Sequence, residues 1–580
     1  MPNRWIVPES GAGEVQSLAA ALGIGSLAAK VLARRGYSDP EAARRFLQPS
    51  FEEFHDPFLL SGMSAAVDRL VRAVRAREKI LIYGDYDVDG TSSVVLLVKA
   101  IELAGGTASY HVPHRLKDGY GMRSEVIEDA AAQGVTLIVS VDTGIRAAEV
   151  VRRAGELAID VIVTDHHLPD GELPPALAVL NPNRPDCLYP EKNLCGAGVA
   201  FKLIQGLMRG IAWPEEKSRR VAESFLKLAA IATVADVVPL TGENRTIVHH
   251  GLGSLRSVRN PGLRALLDVA GFTNGAAPTA RQVAFQIAPR MNAAGRMDTA
   301  RAVIEMFLTT DSARARELAR SLHEQNTERQ QVEASIREEC ETLPVDGSAA
   351  ALVYYSEKWH RGVLGIVASR LVERFHRPVF VLGRNEEDGS IQGSGRSIPA
   401  FHLLEALESM PEVFCRFGGH SHAAGVTLEE SRIAEFRDRF QRYAASCLRP
   451  EDFEPTVEID ALVNLTELSE HSIGSVFTLA PFGHGNPPPI FAALDVEIAG
   501  PPAVWKEKHL KVMVRQHGRT LVLKAWNFAQ RAAEFVSGAH VDIVFTLEED
   551  TYSAERGYPA WAAILRDVRA SAARSSSQSA

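Results

Sequence analysis

The sequence predicts an α/β protein of several domains, and three stretches carry that prediction. From residue 79 onward strand-like and helix-like segments alternate. Residues 311–343 are dense in charge and contain no proline or glycine, and the stretch from about 455 to 570 is rich in strands and prolines. Repeated β-α-β units imply a parallel sheet covered by helices on both faces. At 580 residues the chain exceeds what a single core supports, so roughly two to four domains are expected.

Taken in order, "KILIYGDY" (79–86) is an apolar, β-rich run that reads as a buried strand. A helix over "GTSSVVLLVKAIELAG" follows, then the strand "ASYHVP". The helix "SEVIEDAAAQG" leads to the strand "TLIVSVDTG", the helix "AAEVVRRAGELA" leads to "DVIVTDHH", and "ALAVLNP" is one more strand. From Gly196 to about residue 306 the pattern is mostly helical. Residues 311–343 read as one long connector helix. A second, smaller α/β section brings the strands "AALVYY" and "PVFVLG" and the helix "GIVASRLVERFH". In the last section "HLKVMVRQHGRTLVLKAW" reads as a hairpin turning at His517-Gly518. The expected domains are 1–310, the connector 311–343, then 344–450 and 451–570, with a disordered low-complexity tail at 571–580.

Composition narrows the class. The chain is 46% hydrophobic and 23% charged, as in an ordinary globular protein. "MPNRWIVPESGAG" has no apolar signal-peptide core, and no uncharged apolar run approaches spanning length. No membrane is therefore expected. The five cysteines form no paired spacing, which argues against a zinc cluster or disulfides and fits a reducing cytoplasm. The net charge of −9 argues against a nonspecific nucleic-acid coat, yet a carboxylate-rich metal site beside a local basic path is compatible with it.

The chemistry lies at the strand ends. "DYDVDG" copies the opening of a calcium loop, but that loop needs a glutamate at its twelfth position, where Leu96 stands, and a helix in front of it, where a strand stands. In parallel sheets ligands gather at the C-terminal ends of strands. There the sequence places Asp85, Asp87 and Asp89, then Asp142, then Asp165, His166 and His167; a later helix adds Asp236. Four or more clustered carboxylates repel one another unless cations neutralise them. Oxygen ligands favour magnesium or calcium, and an added imidazole moves the preference to manganese. The ligands suffice for two ions with Asp142 as bridge, a centre suited to displacement at phosphorus.

The motifs "DYDVDG", "VDTG", "TDHH" and "VADVVPL" resemble those of the DHH phosphoesterase superfamily, and "GGHSHAAG" (418–425) resembles the mark of its DHH-associated domain. With "RLKDGYG", "LNPNRPDC", "RMNAAGRMD", "GSGRS" and "PFGHGNPPPIF", the likeness extends to the bacterial 5′→3′ single-stranded-DNA exonucleases of that superfamily and covers nearly the whole chain. It implies a DHH catalytic domain, a DHH-associated domain and a C-terminal OB-like domain. It implies Asp87, Asp89, Asp142, His166 and Asp236 as ligands of two Mn2+ ions, with Mg2+ as the alternative. Asp85, Asp142 and His167 are then the catalytic groups. Elsewhere in the superfamily a histidine precedes the middle aspartate by four residues; Tyr83 stands there here, which leaves one ion with fewer protein ligands.

Recognition of a terminal 5′ phosphate calls for guanidinium and hydroxyl groups. The resemblance points to Arg115, Arg296, Ser394 and Arg396, with Arg290 as a near alternative to Arg296 and Tyr120 as a base-stacking ring. His420 and His422 lie in a glycine-rich loop suited to phosphate contact. Residues 505–526 carry six Lys or Arg against one Glu between Trp505 and Trp526. Trp505, Lys508 and Lys511 are thus expected to hold single strands on the OB-like domain. The implied role is DNA repair and recombination, with single-stranded DNA as substrate and a single-strand-binding protein and a helicase as partners. Two alternatives stay open: an oligonucleotide or cyclic-dinucleotide phosphodiesterase, and a non-catalytic replication scaffold.

Overall fold

Burial on both faces explains why the central strands "ILIY" and "LIVSV" are almost wholly apolar. In a computed structural model, which describes residues 3–7, 12–115, 117–273, 275–297, 299–343 and 349–571, strands β1 (Ile80–Tyr83), β2 (Ala108–His111), β3 (Leu137–Val141), β4 (Asp160–Thr164) and β5 (Ala178–Leu180) form one parallel sheet in the order β2-β1-β3-β4-β5. Between β1 and β3 the winding reverses direction, and such a switch point opens a crevice at the carboxyl ends of the strands. Helix α1 (Val88–Leu103) leaves β1, and its start is set by Asp87, whose side chain accepts from the Gly90 amide at 2.9 Å. From sequence this helix is expected to begin at Gly90; the cap brings its start forward to Val88. Helices α2 (Ser124–Ala132) and α3 (Ala148–Glu156) bury Ile127 and Val151 against Leu81, Tyr83, Ile138 and Val163 on one face of the sheet. The other face is covered by α1 and by α4 (Gly196–Gly210), and α5 (Glu215–Ala235) packs on these two.

Beyond α6 (Ala288–Met297), the charge-dense run is a single helix, α7 (Ser312–Thr342), capped by Asp311. The second sheet takes β6 (Leu352–Ser356), β7 (Val379–Arg384), β8 (Ile391–Arg396), β9 (Arg416–Gly419) and β10 (Ala423–Leu428) in the order β9-β10-β8-β7-β6. Its one parallel pair, β6–β7, is bridged by α8 (Leu364–Phe375). Both sheets belong to one unit, Phe54–Pro239 with Thr246–Glu454.

The other unit gathers Met1–Glu53, Leu240–Arg245 and Pro455–Ala580. Its centre is a closed five-stranded barrel of β11 (Ile490–Ile498), β12 (His509–Gln516), β13 (Arg519–Ala525), β14 (His540–Glu549) and β15 (Trp561–Ala570). β11 pairs with both β12 and β14, and β13 with β15 in parallel, which closes the ring in the OB manner. The hairpin turns at His517-Gly518 as expected, both with positive φ (47° and 77°), the geometry that two-residue hairpins favour.

One boundary differs from the sequence reading, which attaches the N-terminal segment to the catalytic domain. Strand Arg4–Ile6 pairs in parallel with Thr456–Glu458, and the Trp5 indole donates to Asp567 at 2.9 Å. Leu27, Val31 and Phe46 share a core with Phe491, Phe545 and Leu565. Arg245 is buried there as well, its guanidinium donating to the carbonyls of Phe46, Leu479 and Ala480. Residues 572–580 of the expected disordered tail lie outside the described residues. Among the described residues no single helix is long and apolar enough to cross a membrane.

Candidate metal centre and adjoining arginine cavity

The parallel sheet delivers its acids to one edge. Asp85 and Asp87 follow β1, Asp89 sits in the first turn of α1, Asp142 follows β3 and His166 follows β4. Asp236 closes α5 as its C-cap. His166 Nε2 faces three carboxylates: Asp142 at 3.1 Å, Asp236 at 3.7 Å and Asp89 at 3.8 Å. Three overlapping groups result, Asp89 with His166 and Asp236, Asp142 with His166 and His167, and Asp85 with Asp87 and Asp142, and within each the candidate ligand atoms lie within 4.8 Å of one another. Asp142 thus links the Asp85–Asp87 side to the His166 side. Two glycines permit this crowding, since a Cβ on Gly90 would lie 2.6 Å from the Asp85 carbonyl oxygen and one on Gly196 would lie 2.6 Å from Asp142 Cβ. Asp142 itself adopts φ 59°, a left-handed conformation that aspartate tolerates better than most residues.

Such packing is costly without cations. Burial, and then the charges of Asp89, Asp87 and Asp85, push the Asp142 carboxyl well above the usual range. Burial and Asp87 do the same to Asp85. Burial, with Asp89 and Asp87, raises Asp236 to about 9. Asp89 rises only to about 6, because the amides of Ala197 and Gly196 at the start of α4 donate to it at 2.7 and 2.6 Å. Burial and then His167 lower His166 to about 4, so its ring is neutral and its nitrogen free to ligate. The buried atoms Asp85 Oδ1, Asp142 Oδ1 and His166 Nε2 have no hydrogen-bond partner among the described residues. Unpaired acceptors turned toward one another are the donor set a divalent cation requires, so these residues fit the expected metal.

The neighbours of this cluster hold it in place. Asp165 is buried, and its Oδ1 accepts from His167 Nδ1 at 2.7 Å and from the His166 amide at 2.7 Å, while Oδ2 accepts from the Ile145 amide at 3.0 Å. Burial opposes ionisation of Asp165, but the bond and charge of His167 and these amides outweigh it, and the carboxyl stays below its ordinary value. His167 feels the converse: burial works against its charge, and the Asp165 bond raises it on balance. The Tyr120 hydroxyl lies 3.2 Å from the Asp142 carbonyl and 3.1 Å from His167 Nδ1. It is tied into the histidine network, although half of the residue is exposed. Asn181 and Asn183 donate to the carbonyls of His167 and His166 at 2.8 and 2.6 Å. In sequence Asp165 stands out only as a strand end and the two asparagines not at all; "LNPN" at the end of β5 is the signal that pointed there. Tyr83 is a core residue, its hydroxyl 3.3 Å from the Gly121 carbonyl.

Beside this centre lies a cavity of about 440 Å³ lined by Arg115, Arg296, Arg361, Ser394 and Arg396, with Phe285 among its apolar contacts. Four residues singled out in sequence therefore meet across the two sheets' domains, and Arg361 joins them unforeseen. Loop 85–88 connects cavity and cluster. Arg115 sits over the Tyr86 ring at 5.0 Å, and Asn292 Oδ1 accepts from the Val88 amide at 3.2 Å. Burial, then Arg115, Arg329 and Arg396, lower Arg296 to about 9, as crowding of like charge demands. Arg290 is not brought in: its guanidinium is held by His323 Nδ1 at 3.2 Å and by the Gln286 carbonyl.

His420 and His422 are exposed on the β9–β10 turn, where the His422 amide donates to His420 Nδ1 at 3.3 Å and its carbonyl accepts from Ser397 at 3.1 Å. The turn therefore abuts the end of β8 that carries Arg396. On the barrel, Trp505, His509 and Trp526 form a ring cluster, with Trp505 and Trp526 centroids 5.1 Å apart. Lys511 Nζ stands 5.8 Å from the Trp505 ring, and Lys508 is exposed beside it in sequence.

Comparison with known proteins agrees with this organisation. The chain matches the DHH family, N-terminal domain over residues 79–233, the DHHA1 domain over 348–446 and the RecJ OB domain over 459–558. It is 38% identical over 544 residues to the single-stranded-DNA-specific exonuclease RecJ of Bacillus subtilis (strain 168), covering 93% of this chain and 68% of that protein. The protein of the same name from Escherichia coli (strain K12) is 38% identical over 480 residues, covering 79% and 82%. The fold is similar to the crystal structure of RecJ in complex with Mn2+ from Thermus thermophilus, with a TM-score of 0.83, 30% identity, and 98% of this chain and 79% of that one covered. The Mg2+ complex from the same organism gives a TM-score of 0.75 at 28% identity, covering 98% and 78%.

Proposed function

Because the chain belongs to the RecJ family of single-stranded-DNA-specific exonucleases, we infer that its carboxylate–imidazole cluster cuts strands next to the end held by the arginine cavity. The protein is a metal-dependent exonuclease acting on single-stranded DNA. The polarity we assign is 5′→3′, and the product a mononucleotide. The observation that carries this reading is the position of loop 85–88, which touches the arginine cavity on one side and bears the metal-binding aspartates on the other. A 5′ phosphate in the cavity would leave the first phosphodiester to reach the acids.

Asp89, His166 and Asp236 would hold one divalent ion, and Asp85 and Asp87 another, with Asp142 shared between them; manganese is the preferred ion and magnesium the alternative. Such ions supply Lewis acidity and a more acidic water. The protein does the rest. Water adds to the phosphorus linking the first two nucleotides, the bond to the 3′ oxygen breaks, and that oxygen takes a proton. His167, its Nδ1 fixed by Asp165, has Nε2 left to carry a proton to or from the reacting oxygens. The shortened strand again ends in a 5′ phosphate, the feature read by Arg115, Arg296, Ser394 and Arg396, so each cut restores the substrate for the next.

On the barrel, Trp505, Lys508 and Lys511 would bind the strand further along without reading its sequence. His420 and His422 would meet the backbone near Arg396. The setting we assign is DNA repair and recombination in the cytoplasm, where a single-strand-binding protein and a helicase would present the strands. Digestion of end-labelled single and double strands of both polarities, with manganese and with magnesium, tests the reading. Release of the 3′ label first, or equal attack on duplex, would overturn it.

A further inference from the structure

The arginine cavity is larger and more positive than one phosphate requires. At about 440 Å³ it has room for on the order of fifteen waters at ~30 Å³ each, several times the bulk of a phosphoryl group. Among the described residues, Arg115, Arg296, Arg361 and Arg396 lie at salt-bridge distance from no carboxylate. Arg296 donates to the Gly362 carbonyl at 3.1 Å, Arg396 to Ser394 Oγ at 3.0 Å, and Arg361 to the neutral Gln392 Oε1 at 2.7 Å. The remaining charges on the wall cancel, since Arg370 pairs with Glu373 at 3.0 Å. A terminal monophosphate brings about −2, which leaves roughly two of the four cations unmatched.

Arg361 is anchored to Gln392, further along β8 from Ser394 and Arg396. Gln392, Ser394 and Arg396 alternate on one face of β8, so the group anchored to Gln392 is roughly 7 Å along the strand from Ser394. Gly365 keeps the wall beside the Ser394–Arg396 pair open: a Cβ there would lie 3.0 Å from Ser394 Oγ and 3.1 Å from Arg396 Nη2. We propose that Arg361 forms a second phosphoryl subsite, so that the cavity accepts strands ending in a 5′ di- or triphosphate, which it binds more tightly than monophosphate ends. Each added phosphoryl group brings about one further negative charge, and a triphosphate reaches from the Ser394–Arg396 pair to Arg361.

This rests on the reading of the cavity as the 5′-phosphate site, and the test separates the two. Full-length protein in EDTA is titrated with short 3′-labelled DNA strands that differ only in a 5′ hydroxyl, monophosphate or triphosphate, with binding followed by anisotropy. The triphosphate is expected to bind about tenfold more tightly than the monophosphate, and Arg361→Gln to bring that ratio close to one, with Arg361→Lys intermediate. Equal melting temperatures establish that the variants fold. Equal affinity for mono- and triphosphate, with both above hydroxyl, overturns the second subsite and leaves the first intact. Equal affinity for all three ends overturns both. If dATP displaces the triphosphorylated strand at the affinity of the strand itself, the cavity is a free-nucleotide site and the strand-end assignment fails.

Discussion

Asp236→Asn is expected to make the metal-free protein more stable while weakening its response to metal. The Asp236 carboxyl is raised to about 9 by burial and by Asp89 and Asp87, against an ordinary 3.8. A group whose folded value is raised favours folding while it is protonated in both states. That stability is complete below about pH 4 and is lost as pH rises through about 9. The gap corresponds to a ceiling of ~7 kcal/mol at 1.36 kcal/mol per pH unit. Asp89 and Asp87 share the repulsion, and the side chain is 23% exposed, so one substitution should recover on the order of 2–4 kcal/mol at pH 8. An uncharged group also suits the C-terminus of α5 better than a carboxylate does. By calorimetry in EDTA at pH 8, the transition that Mn2+ shifts in the wild type should move up by about 5 °C in the variant. The difference should shrink towards pH 4. Mn2+ should stabilise the wild type more than the variant, which keeps Asp85, Asp87 and Asp142 for the second ion. A variant that melts at or below the wild type in EDTA at pH 8, with the same pH dependence, would refute the stored repulsion.

Asp142→Ala should abolish cleavage while the fold and much of the strand binding survive; substantial turnover in a single-turnover assay would show that Asp142 is not shared between ions. Arg396→Ala should cost about 1.5–3 kcal/mol of discrimination between phosphorylated and hydroxyl 5′ ends, and an unchanged preference would remove it from the phosphate site. Asp165→Asn should lower kcat by about 10–100-fold with little change in strand affinity, because it releases His167 rather than a ligand; full activity would show that the orienting bond is idle. Lys511→Ala should weaken binding of long strands and reduce the salt slope by about 0.7, whereas an identical slope would place the strand elsewhere on the barrel.

The acids were legible because parallel strands empty onto one edge, so that Asp85, Asp87, Asp142 and His166 converge by topology alone. The arginines were legible only through their motifs, since nothing in periodicity links Arg115 to Arg396 across two sheets. Arg361 left no trace in sequence: it is one more arginine before a helix, and only its bond to Gln392 gives it a place. The role of Asp165 turns on burial and on the Ile145 amide, which "TDHH" does not display. Tyr83 reads as a departure at a ligand position and is a packed ring. The N-terminal segment was assigned to the wrong neighbour because the core it joins lies hundreds of residues away, and a local pattern carries no address.

A ribosome delivers the first 53 residues about 400 positions before the barrel that buries them. At roughly 5–20 residues per second that is a wait on the order of 20–80 s. During that time the catalytic unit's two sheets can form, while Leu27, Val31 and Phe46 still lack the core into which they finally pack. The helix that carries Leu27 and Val31 (Ser26–Arg34) also bears Lys30 and is followed by Arg35, which finally pair with Glu467 and Asp460. Before those partners are made, Lys30 and Arg35 give this apolar segment a positive charge that opposes self-association.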